Sequence, residues 1–151
     1  MMRITPVLFF LVALLSLDLL GQTQIFHGIV ITEDLKYLPY VDIQINDSKT
    51  IGKTDTSGRF RVEVPEKTEK VIFSFVGFEP TIINLKNSCD TLEIIMMYSG
   101  TYDFFSPKKV NKLMLKRFKK LPELHLLAYD KEIFLTKSAC YEQDFQKWDP
   151  R

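Results

Sequence analysis

The chain has 151 residues, 46% of them hydrophobic and 13% aromatic, enough for one ordinary domain with a short extension. That make-up supports a real core and excludes a disordered chain. A formal net charge of only +1 excludes a global attraction to nucleic acid, although the charge is distributed unevenly.

Residues 1–21 read as a secretory signal. Arg3 and the amino terminus supply positive charge, and Val7 to Leu17 is an apolar run of eleven residues closed by Asp18. A membrane-spanning helix needs about 20 apolar residues, so this run is short for a span, and an uncleaved anchor is the competing reading. Gly21 is small enough to precede a cleavage site, while Leu19 fits the pattern poorly and leaves the position open by a few residues. No cysteine near the end of the segment offers a lipid attachment point. The expectation is export to the periplasm, the cell envelope or the medium. In such an oxidising compartment Cys89 and Cys140 are candidates for a disulfide, with two separate buried thiols as the alternative. A bridge across a loop of about 50 residues contributes roughly 4 kcal/mol by loop entropy.

From Gln24 to Met97 the sequence reads as strand after strand. Phe26 to Thr32 is rich in β-branched and aromatic residues. Tyr40 to Asn46 alternates, with Val41, Ile43 and Ile45 on one face and Asp42, Gln44 and Asn46 on the other. Thr50 to Thr54 is a short candidate. Arg59 to Val64 alternates again, placing Phe60, Val62 and Val64 inward. Val71 to Val76, Phe78 to Leu85 and Thr91 to Met97 complete seven strands, with turn signals at Asp34–Pro39, Asn46–Lys49, Asp55–Gly58, Pro65–Glu69, Gly77 and Lys86–Asp90. No helical apolar period separates these strands, so the pattern predicts an antiparallel seven-stranded sandwich in residues 22–100 rather than parallel βαβ units.

Residues 101–151 form a C-terminal extension. Ser106-Pro107 is a helix opening, and Val110, Leu113, Met114, Phe118 and Leu121 recur at helical spacing, predicting an amphipathic helix over about 107–121 that Pro122 stops. Lys109, Lys112, Lys116, Lys119 and Lys120 lie away from that face. Residues 22–103 carry 8 basic and 12 acidic side chains, whereas residues 104–122 carry 7 basic and none acidic. The basic helix either lies on the sandwich with its lysines in water or near carboxylates, or touches anionic lipid or glycan. Beyond Glu123 the signal is mixed, with Ile133 to Thr136 a strand candidate and the end a loop or short helix.

Four segments taken in order are more specific than periodicity: Gly28-Ile29-Val30; Leu38-Pro39-Tyr40-Val41-Asp42-Ile43; Gly52 to Phe60 (GKTDTSGRF); and Val71 to Glu79 (VIFSFVGFE). Together they resemble the carboxypeptidase regulatory-like domain, the transthyretin-like sandwich that accompanies metallocarboxypeptidase domains and opens many bacterial outer-membrane receptors. The match spans about Ile25 to Met97. The resemblance implies structural roles for Gly28, Pro39, Asp55, Gly58, Phe60 and Gly77, and a module that assists folding, contacts a neighbouring protein or binds glycan. Tyr40 stands where the pattern has small residues after the proline.

Catalytic chemistry finds little support. A zinc carboxypeptidase pattern pairs a His with a Glu three residues on, and neither His27 nor His125 has that partner. There is no Gly-x-Ser-x-Gly elbow, no Walker loop and no Gly-x-Gly-x-x-Gly. Asp42, Asp47 and Asp55 lack the dense spacing of a calcium loop. The sequence therefore predicts no catalytic residue, no metal site and no cofactor. It points to a non-catalytic module that binds or braces a protein or glycan of the envelope. The alternatives are a peripheral membrane contact through the basic helix and, more remotely, a minimal metal-dependent peptidase. Candidate contact residues are Tyr37, Tyr40, Phe104 and Phe105 with the five lysines; the competing expectation for the four aromatics is packing between sandwich and tail.

Overall fold

A computed structural model of the chain describes residues 22–45, 49–86 and 89–149. The expected signal segment, including Val7 to Leu17 and Gly21, lies outside the described residues, as do Asn46, Asp47 and the centre of the turn between Lys86 and Asp90.

Eight strands and two helices follow in order: β1 (Thr23–Thr32), β2 (Asp42–Ile45), β3 (Lys49–Lys53), β4 (Arg59–Pro65), β5 (Lys70–Ser74), β6 (Thr81–Asn84), β7 (Thr91–Met96), α1 (Pro107–Phe118), α2 (Leu121–Asp130) and β8 (Glu142–Asp144). The strands form a sandwich of a three-stranded sheet, ordered β4-β1-β7, and a five-stranded sheet, ordered β3-β2-β5-β6-β8. The expected sandwich is present, with two differences. An eighth strand comes from the tail and pairs with β6, its Glu142-Gln143-Asp144 carrying no apolar alternation that a sequence reading could catch. The β1–β7 ladder is parallel, from His27↔Thr91 to Thr32↔Met96, while the remaining ladders are antiparallel. The chain enters β7 by crossing from the opposite sheet, so no hairpin dictates its direction.

The inner faces follow the alternation read from the sequence. Phe26 and Val30 of β1, Phe60, Val62 and Val64 of β4 and Leu92, Ile94 and Met96 of β7 face Ile43, Ile45, Val71, Phe73 and Ile83 of the larger sheet, all buried. Phe60 and Phe73 meet across the sandwich with ring centroids 5.5 Å apart. Truncating either aromatic to alanine costs about 3–5 kcal/mol.

The smaller sheet is apolar on its outer face too. Ile29, Ile31, Ile95 and Met97 form a second core with Leu121 and Ala128 of α2 and Phe134 of the following turn. The molecule is therefore three layers deep on that side, which is why β1 and β7 read as nearly continuous apolar runs. The extension departs from expectation in three ways. The helix expected over 107–121 ends at Phe118, and a second helix begins at Leu121. Pro122, which reads as a terminator, sits in the first turn of α2, where its missing N–H is harmless. Ile133 to Thr136 is a turn rather than a strand: the N–H groups of Ile133 and Phe134 donate to the Ala128 carbonyl at 2.9 and 3.2 Å. Ser106 caps α1 as expected, accepting from Lys109 N–H at 3.4 Å. Of the expected apolar face, Val110, Met114 and Leu121 are buried, whereas Leu113 is exposed.

Candidate functional site

Helix α1 is fixed from below and open above. Val110 and Met114 bury against the body of the molecule. Asn111 is tied at both ends of its amide to the Trp148 backbone, donating to its carbonyl at 3.2 Å and accepting from its N–H at 2.7 Å. Arg117 forks onto Glu33 and donates to the Tyr98 carbonyl at 2.8 Å. At 100° per residue these groups share one side of α1, which leaves Lys108, Lys109, Lys112 and Lys116 on the other. Lys119 and Lys120 continue that side into the junction with α2, and all six are exposed. Among the described residues none of the six forms an ion pair with a carboxylate. Lys109 instead stands 3.9 Å over the Phe105 ring, a cation–π contact. Of these groups, Lys108 and the anchoring Arg117 were not among the sequence candidates; the uninterrupted basic composition of residues 104–122 was the available signal.

The candidate aromatics lie on the surface rather than between sandwich and tail. Phe104 is 98% exposed, Tyr40 57%, Tyr37 53% and Phe105 41%. Tyr37 and Tyr40 belong to the β1–β2 loop, Phe104 and Phe105 to the segment before α1. The β1–β2 loop is held firmly: the buried Thr54 hydroxyl donates to the Leu38 carbonyl at 2.8 Å and accepts from Val41 N–H at 2.9 Å. Tyr40 itself adopts a left-handed backbone, φ 61°.

The remaining motif residues have structural roles. Asp55 Oδ1 accepts from Ser57 N–H at 2.8 Å and Arg59 N–H at 2.9 Å, closing the β3–β4 turn. Gly58 takes φ 73° there, and a Cβ would sit 2.6 Å from the Val30 carbonyl oxygen. At Gly28 the demand is space, since a Cβ would fall 1.9 Å from the Leu92 carbonyl oxygen of β7. Pro39 precedes the left-handed Tyr40, and Gly77 takes φ 85° in the β5–β6 turn. Cys89 and Cys140 are joined by a disulfide, Cα atoms 5.5 Å apart, that ties the start of β7 to the approach to β8.

The two histidines stand apart. His27 is exposed on β1 with Nε2 3.5 Å from the Thr91 hydroxyl. His125 is buried on α2, its Nε2 3.1 Å from the Thr136 carbonyl and 3.6 Å from Glu93 Oε2. Burial holds the His125 pKa below its usual value, against the opposing pull of Glu93. The Glu93 carboxylate is saturated by the N–H groups of Leu135 and Thr136 and by the Thr136 hydroxyl. This cluster, a buried acid in an otherwise apolar strand, was not singled out from the sequence. It locks the turn after α2 and presents no nucleophile. Asp42 pairs with Lys53 at 3.0 Å and Asp55 serves its own turn, while Asp47 lies outside the described residues. Among the described residues no three His, Cys, Asp or Glu side chains are placed to hold a metal ion.

The chain matches no curated protein. The profile of the CarboxypepD_reg-like domain matches residues 26–103, about half of the chain, from Phe26 within β1 past the end of β7, and the chain belongs to that family.

Proposed function

We propose that this chain is an exported, non-catalytic β-sandwich module that binds an acidic protein or glycan of the cell envelope through the lysine side of α1. CarboxypepD_reg-like domains are regulatory rather than catalytic, which supports the non-enzymatic part of the reading. The basic segment Arg3 and apolar run Val7 to Leu17 support export. The observation that carries the binding assignment is the set of six exposed lysines, four on one side of the docked α1 and two in the junction that follows it, without a carboxylate partner among the described residues. Charges that stabilised the fold would be paired; a row left facing water raises the local potential and attracts an anionic partner.

The test is retention of the purified chain on polygalacturonate, a polyanion, along a salt gradient. The expected result is salt-sensitive retention that Lys112→Glu/Lys116→Glu/Lys119→Glu abolishes, with unchanged thermal stability. Retention unaffected by the triple reversal would overturn the assignment.

A second reading, contact with an anionic membrane surface, is favoured by Phe104, 98% exposed beside the lysines. Among the described residues no helix is long and apolar enough to cross a membrane. Sedimentation with anionic and neutral vesicles separates the two readings: a membrane role requires pelleting with anionic vesicles that Phe104→Ala weakens.

A further inference from the structure

Between the outer side of β7, the start of α2 and the segment leading into β8, the surface opens into a cleft of about 520 Å³. Ile95, Phe118, Leu121 and Ala139 supply apolar lining. His125 and Tyr141 also line it, with Nε2 of the first and the hydroxyl of the second already engaged. The Tyr141 hydroxyl donates to the Glu93 carbonyl at 2.7 Å, and His125 Nε2 lies against the Thr136 carbonyl. Tyr141 therefore offers ring surface rather than its hydroxyl to an occupant, and His125 offers its ring with Nε2 already committed. Lys119, exposed and without a carboxylate partner among the described residues, stands at the rim. It lies in a stretch, residues 104–122, with seven cations and no acid. Apart from Ile95, every lining residue lies beyond residue 103, so the cleft is a property of this chain's extension and not of the matched domain.

We propose that this cleft binds a small amphipathic anion, with an apolar chain lying along Ile95, Phe118 and Leu121 and a carboxylate-type head held by Lys119. The volume falls within the roughly 300–1,000 Å³ usual for small-ligand pockets. The lining is mostly apolar, with Ser138 and Gln143 as uncharged polar side chains and Lys119 as its one charged group; such a site selects for a ligand of matching polarity, since the chain leaves water, the head does not, and the sign of the rim fixes the sign of the head. The site is separate from the glycan or protein contact assigned to α1, although Lys119 borders both.

The test is an NMR titration of the purified chain with decanoate, decanol and decylammonium. Decanoate is expected to bind saturably, shifting Ile95, Phe118 and Ala139, with decanol about tenfold weaker and decylammonium weaker still. Ala139 is exposed, so Ala139→Trp adds bulk to the cleft rather than to the core, and it is expected to lower decanoate affinity by at least about tenfold. Lys119→Glu is expected to erase the preference for decanoate over decanol. Polygalacturonate retention is expected to survive Ala139→Trp, which separates failure here from failure of the assignment to the lysine side. Absence of saturable binding, shifts confined to other parts of the molecule, equal binding of decylammonium, or an unchanged affinity in a folded Ala139→Trp would each overturn the proposal. If that variant does not fold, the wild-type shift map and the head-group order decide alone.

Discussion

Arg117, in the last turn of α1, grips Glu33, the residue that follows β1. Its Nε lies 3.2 Å from one carboxylate oxygen, and a terminal nitrogen meets the other. The same carboxylate accepts from Tyr98 N–H at 3.0 Å, so one side chain gathers the ends of β1 and β7 and the helix. The hydrogen bond to Glu33 raises the guanidinium pKa further, and Arg117 remains charged at every accessible pH. Because the pair is only partly exposed and the geometry is two-pronged, Glu33→Gln and Arg117→Ala are each expected to cost about 1–3 kcal/mol. The double variant is expected to lose little more than the worse single one, because both remove one shared interaction. Urea unfolding of the three variants measures this, and fully additive losses would show that the two groups act independently.

How far the sequence revealed this architecture follows from what each residue pattern encodes. Strands buried on one face announce themselves, as Arg59 to Val64 does with Phe60, Val62 and Val64 inward. The turn chemistry of Asp55 and Gly58 was equally legible, because a side-chain acceptor and a positive φ have local sequence signatures. What escaped depends on distant contacts. The three residues of β8 are a strand only because β6 has an edge to pair with. Pro122 stops one helix pattern and opens another, a distinction that rests on the Lys119–Lys120 junction. The third layer was hinted at by Ile29-Val30-Ile31 and by Ile94 to Met97, apolar on both faces, but the hint names no partner. For the candidate site, residue identities were legible and accessibility was not: helical spacing sets the lysines away from the apolar face, but it does not separate the exposed Leu113 from the buried Met114, which depends on what each meets in the fold.

His125 makes stability depend on pH in a definite direction. Burial lowers its pKa from 6.5. The fold therefore favours the neutral ring, and the associated stability is fully present above about pH 6.5 and is lost as the pH falls through the folded-state value. The largest possible slope is about 1.4 kcal/mol per pH unit. Melting temperatures of wild type and His125→Asn, each measured at pH 7.5 and pH 5, test this. The wild type is expected to lose more on acidification than the variant. An equal loss in both would show that His125 does not carry the acid sensitivity of this range; Asp144, whose pKa is lowered mainly by its hydrogen bond from Lys70, loses its contribution only below its ordinary value of 3.8.

The disulfide and β8 act together. Cys89 and Cys140 are 51 residues apart in sequence, a separation that the loop-entropy relation values at roughly 4 kcal/mol, with 2–4 kcal/mol the usual measured range. Past the bridge, Asp144 accepts from Lys70 Nζ and Asn84 Nδ2, both at 2.8 Å, and Glu142 meets Lys86 at 2.8 Å, but these contacts are largely exposed. Exposed pairs of this kind contribute about 0–1 kcal/mol each. Cys140→Ser with Cys89→Ser is therefore expected to release β8 before the sandwich unfolds. Limited proteolysis should cut the variant between residues 137 and 149 while residues 22–97 stay intact. Simultaneous loss of both regions would show that the tail and the sandwich unfold as one unit.

Tyr40 carries a backbone conformation that its side chain does not explain. A non-glycine residue at φ 61° costs roughly 1–2 kcal/mol, and the loop keeps it there because Tyr40 N–H donates to the Thr54 carbonyl at 3.1 Å while the Thr54 hydroxyl holds Leu38 and Val41. With 57% of its surface exposed, the ring recovers little of that cost by packing. Tyr40→Gly is expected to relieve the strain and, after allowing for the greater freedom of glycine in the unfolded chain, to raise stability by up to about 1 kcal/mol. Tyr40→Ala keeps a Cβ in the left-handed region and is expected to leave stability within about 0.5 kcal/mol of wild type. A more stable Tyr40→Gly would identify the ring as dispensable to the fold, and a contact role would then appear as weaker partner binding in that better-folded variant. A Tyr40→Gly less stable than wild type would show instead that the exposed ring is anchored by the loop after all.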